Sequence, residues 1–128
     1  MAGAGEFPVI PDEELRRIQG VALEWATYNG CPHPQSIRVV STTFDAAIRV
    51  LHGPEVKSRD NDATYLVAIE GDIVLHQAVD RGAPRAPTGT WAALMIKPPQ
   101  LSVGSLTLRT AEAAVDVGHL GRVYTLVG

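Results

Sequence analysis

Four histidines and one cysteine are the residues best able to do chemistry in this 128-residue chain. If residues 72 to 80 form one strand, Asp72, His76 and Asp80 share a face by two-residue alternation. A histidine flanked by carboxylates can act as a general base or hold a metal. Any half-exposed strand shows the same alternation, however, with Ile73, Leu75 and Val79 on its buried side. Cys31 and His33 stand together in a proline-rich turn (GCPHP), the minimum pair for a thiolate nucleophile. A lone cysteine is more often a small packed residue. The catalytic candidates are therefore His76, Asp72, Asp80 and Cys31. His52 and His119 each adjoin a glycine at an expected element end and read as capping or surface residues.

Binding candidates are fewer. The loop Arg81–Pro87 (RGAPRAP) could present an extended basic segment to an acidic partner, with Arg85 as its anchor. Trp25 lies on an amphipathic face that could line a ligand cavity but is equally suited to a core. Asp60-Asn61-Asp62 begins like a calcium loop. Gly71 stands where a closing glutamate is needed, and Tyr65 where a glycine is needed, so an EF-hand is excluded. No glycine-rich phosphate loop precedes a helix, and no serine sits in a nucleophile elbow. We expect no metal and no cofactor.

These residues are positioned by a helix followed by strands. The three-four spacing of Leu15, Ile18, Ala22, Trp25 and Asn29 predicts a helix from Asp12 to Asn29, stopped by Gly30 and Pro32. Ser36–Thr42 reads as a strand, and Phe44–His52 as a short second helix with Thr43 as its cap. Thr64–Glu70 and Ile73–Val79 are strand-like. Gly71-Asp72 between them is either a two-residue hairpin turn or a bulge in one long strand. Trp91–Lys97 is apolar enough for a central strand covered on both faces, ended by Pro98-Pro99. Ser105–Arg109 and Val123–Val127 complete the set. Loops too short for crossover helices imply antiparallel pairing. The expected fold is α+β: an N-terminal helix on a curved antiparallel sheet of about five strands, with the short second helix.

Hydrophobic residues make up 45% and charged residues 20%, an ordinary composition for one folded domain. Residues 1–10 read as a flexible leader and 11–128 as the domain. One cysteine excludes an intramolecular disulfide and any multi-cysteine zinc site. A net charge of -3 gives no reason to expect nucleic acid or an anionic membrane as partner. No apolar run approaches the roughly 20 residues that a bilayer requires. A cytoplasmic location is the default; a secreted protein is expected only if a signal peptide has been removed.

From residue 37 onward the chain resembles a group of small actinobacterial proteins of unassigned function. The resemblance rests on Thr42-Thr43 followed by alanines, Tyr65-Leu66-Val67 with Gly71, Ala86-Pro87-Thr88-Gly89, and Leu120-Gly121-Arg122-Val123. Ile73 and Lys97-Pro98-Pro99 depart from that pattern. What the resemblance implies is one domain, with no activity transferred. The leading expectation is a non-enzymatic binding or protein-interaction module, able to form a homodimer through a sheet edge or face. The competing one is a small cone-shaped pocket protein or enzyme, using His76 with Asp72 or Asp80 on a small-molecule ligand.

Overall fold

The computed structural model describes residues 9–53, 55, 62–75, 88–110 and 117–128. Helix α1 spans Asp12–Tyr28, strand β1 Ser36–Thr43 and helix α2 Phe44–His52. Strands β2 (Ala63–Val74), β3 (Thr88–Lys97) and β4 (Ser102–Arg109) follow, then a short 3-10 helix at Val117–Leu120 and strand β5 (Val123–Val127). The five strands form one antiparallel sheet in the order β4-β3-β2-β1-β5. The α+β architecture expected from the sequence is the one observed. No helix among the described residues is long and apolar enough to cross a membrane.

Alternation along the strands sends side chains to two separate cores. On one face Ile37, Val39, Val67, Ile69, Leu94 and Ile96 meet Ile18, Ala22, Trp25 and Ala26 of α1. On the other, Val40, Leu66, Trp91, Ala93 and Met95 meet Ala47 and Leu51 of α2, with Val117 and Leu120. This second layer follows from connectivity. β4 and β5 are opposite edges, so the chain between them must cross the sheet, and the 3-10 helix covers the α2 face on its way. Residues Trp91–Ile96 are accordingly buried on both faces. The middle of the sheet is nevertheless β2, with β3 one place from the edge.

Local signals explain the ends of the elements. α1 begins after Pro11, whose extended backbone makes it the cap, and Asp12, Glu13 and Glu14 occupy the first turn where the helix dipole favours negative charge. It closes in a Schellman motif: Gly30 (φ 79°) donates to Thr27 O at 3.2 Å and Cys31 to Ala26 O at 2.7 Å. Buried Asn29 adds a side-chain bond to Trp25 O at 2.9 Å, and its carbonyl accepts from Val74 N–H at 2.9 Å, tying the helix end to β2. At α2 the Thr43 hydroxyl accepts from Ala46 N–H at 3.2 Å, the cap its sequence suggests.

Gly71-Asp72 is a bulge, not a turn. Glu70 pairs with Trp91 and Ile73 with Gly89, so two residues of β2 oppose Thr90 alone. The hairpin alternative fails because β3 starts at Thr88, early enough to keep Ile73 and Val74 paired.

Candidate functional site

Cys31 occupies the second position after the cap of α1, where the Schellman motif wants an apolar residue against the last turn. It is 5% exposed and packs into the α1-side core. A Cβ on Gly71 would lie 2.5 Å from its Sγ, so the bulge glycine makes room for the sulfur. Burial pushes the thiol up, the Asp72 carboxylate adds to this, and a backbone hydrogen bond from Asp72 offsets part of it. The protonated form is therefore favoured, the opposite of what activates a nucleophile. His33 is exposed, two residues on.

Asp72 is exposed on the bulge. His76 and Asp80, expected on the same face, lie outside the described residues, as does Arg85; β2 is described to Val74, followed by Leu75. His52 ends α2 and is exposed. Among the described residues no group of three His, Cys, Asp or Glu side chains is placed to hold a metal.

Trp25 serves two surfaces. Its indole is 9% exposed within the α1-side core, and its Nε1 has no hydrogen-bond partner. It also floors a groove of about 410 Å³ with Val21, Glu24, Tyr28 and Val103. Among the described residues, Tyr28 (63% exposed) and Val103 (37%) are two of the three large apolar side chains most open to solvent. The groove runs between the outer flank of α1 and strand β4. Among the described residues nothing pairs with the outer edge of β4.

That edge has little to protect it. Ser102–Leu108 contains neither a charge nor a proline, the usual devices that stop edge strands from pairing. Arg109 turns inward, its guanidinium donating to Leu51 O at the end of α2. A register shift places a bulge at Gly104, confining the regular edge to Ser105–Arg109. The register puts Leu106 and Leu108 on the α1 side, opposite Leu94 and Ala92; Ser105 and Thr107 face the other way.

A second concavity opens at the far end of the sheet. The start of α1 (Pro11, Glu14), the end of β1 (Ser41, Thr42) and the start of β2 (Ala63–Tyr65) enclose about 310 Å³ with Val9, Ile10 and Pro98. The Tyr65 hydroxyl donates to Glu14 Oε2. Thr64, buried, donates to Ile96 O at 3.3 Å. Tyr124, on the neighbouring β5, accepts from Ile10 N–H at 3.2 Å and steadies the rim. Burial, then the hydrogen bond to Glu14 and the charges of Glu14 and Tyr124, raise the Tyr65 phenol well above its ordinary value, so it remains a donor.

Glu14 falls within the helix that the spacing predicts and Tyr65 within a strand-like segment, and nothing local joins residues 51 apart. The edge status of β4 was equally hidden, since it depends on where β5 returns. A charge-free β4 sequence was the signal available.

No protein-family model matches the chain, and neither a curated protein nor a solved structure matches it at significance.

Proposed function

We propose that the chain is a non-enzymatic protein-interaction module that pairs the β4 edge with the β4 edge of a second copy. The supporting observation is the β4 edge, uncharged over Ser102–Leu108 and regular from Ser105 onward, beside an apolar groove that leaves Tyr28 and Val103 exposed. Strand addition satisfies the outward backbone groups, and the groove takes alternate side chains of the added strand. Like strands meeting antiparallel generate a two-fold, self-complementary contact that closes at the dimer. The opposite edge is less suited: β5, also uncharged, is preceded by exposed Arg122, whereas Arg109 at the end of β4 turns inward.

Sedimentation velocity over a concentration series tests this reading. The wild-type chain should approach a dimer, and the S105K/T107K variant should remain a monomer with unchanged far-UV circular dichroism. A wild-type chain that stays monomeric throughout, or a folded variant that dimerises equally well, overturns it.

A further inference from the structure

We propose that the pocket between the start of α1 and the β1–β2 end of the sheet binds a small amphiphilic cation, an amine on a short apolar skeleton. Its walls divide by chemistry. Val9, Ile10, Pro11, Ala63 and Pro98 supply apolar surface, and Val9 is 65% exposed at the rim, where an apolar ligand would cover it. Of the polar residues that line it, Ser41, Thr42, Thr64, Tyr65 and Glu14, Glu14 alone is charged, and the Tyr65 hydroxyl donates to its carboxylate. That pattern, apolar walls with a few oriented polar groups, is the usual one for a small-molecule site.

Glu14 carries a full negative charge against the roughly half positive charge of the α1 N-terminus, so the carboxylate sets the ligand's sign. Among the described residues no ion pair engages Glu14; Asp45 pairs with Arg49 and Asp62 with Lys97. Glu13 and Arg17 lie on the adjoining outer surface with Glu14, both exposed to water. Tyr65 contributes a neutral donor and leaves the carboxylate's charge in place. A carboxylate accepts more than one hydrogen bond, so an ammonium can share it with the phenol. A volume of 310 Å³ equals about ten waters, room for a six-carbon amine. These residues are separate from the β4 edge, so the two proposals stand or fall independently.

Titrating the full chain with hexylamine, hexan-1-ol and hexanoate, followed by amide NMR shifts, tests the assignment. Hexylamine should bind at least about tenfold more tightly than hexan-1-ol, the gain of one charge-assisted contact. Hexanoate should bind weakest. Shifts should concentrate at Ser41, Thr42, Thr64 and Tyr65. Glu14→Gln should keep hexan-1-ol binding, showing that the pocket survives, and lose the amine's advantage. Equal affinity for amine and alcohol, no binding of either, or shifts mapping elsewhere overturns the proposal.

Discussion

Gly71→Ala should destabilise the chain through Cys31. The added Cβ would stand 2.5 Å from Cys31 Sγ and 3.3 Å from Pro34 Cα. Comfortable non-bonded separations are roughly 3.5–4 Å, so the approach to sulfur is about 1 Å too close. Cys31 has one side-chain torsion and is buried, and Pro34 meets the new atom with backbone, so neither can swing away cheaply. Overpacking of this kind costs about 1–3 kcal/mol; we expect about 2. Cys31→Ala alone should cost about 1 kcal/mol, for one buried heavy atom and the small void it leaves. Independent effects would sum to about 3 kcal/mol. Removing the sulfur relieves the closest clash but leaves the backbone strain at φ 159° and the Pro34 contact, so the double variant should lose about 2 kcal/mol, a coupling of about 1 kcal/mol. Urea unfolding followed by fluorescence of Trp25 and Trp91 measures all four corners of the cycle. A Gly71→Ala cost below about 0.5 kcal/mol, or costs that add within that margin, would refute the packing argument.

Three further outcomes follow from the same contacts. Thr43→Ala should destabilise by about 1 kcal/mol through loss of the α2 cap, and Thr43→Ser should restore most of it, read by thermal unfolding. Cys31 should react with a thiol reagent at least about tenfold more slowly in the native protein than in denaturant, because the thiol is buried and held protonated; equal rates would contradict this. The folded chain holds the Tyr65 proton after the unfolded chain has released it, so this stabilisation is complete below about pH 10 and declines as pH rises above it. The stability gap between wild type and Tyr65→Phe should therefore narrow from about pH 9 to about pH 11; a constant or widening gap counts against the Glu14 contact.

What could be read from the sequence was whatever local periodicity and punctuation determine. The Ile18–Ala22–Trp25 stripe, the Thr43 cap and the Gly30 stop each state their geometry within a few residues, and α1 and α2 follow within one residue of expectation. Features needing a second strand were not legible. Gly71-Asp72 suits a turn or a bulge equally, and only the length of β3 decides. β4 starts at Ser102, three residues before its apolar alternation, because pairing with Lys97 and Ile96 extends it through polar Ser102 and Gly104. The apolar run of β3 correctly implied two covered faces but not its place in the order, which depends on where β5 returns. Glu14 with Tyr65, and Arg109 with Leu51, meet only after the sheet has formed. Cys31 was legible as a thiol, while its packing role required the Schellman cap and the bulge together.

Amide hydrogen exchange at low and high protein concentration tests the interaction reading most directly, because it locates a contact as well as detecting it. If β4 pairs with β4, alternate amides within Ser105–Leu108, at the outer edge of the sheet, should become protected as concentration rises. The amides of β5, Val123–Val127, should not change. Exchange at β4 that ignores concentration, or new protection at β5 in its place, would contradict the account.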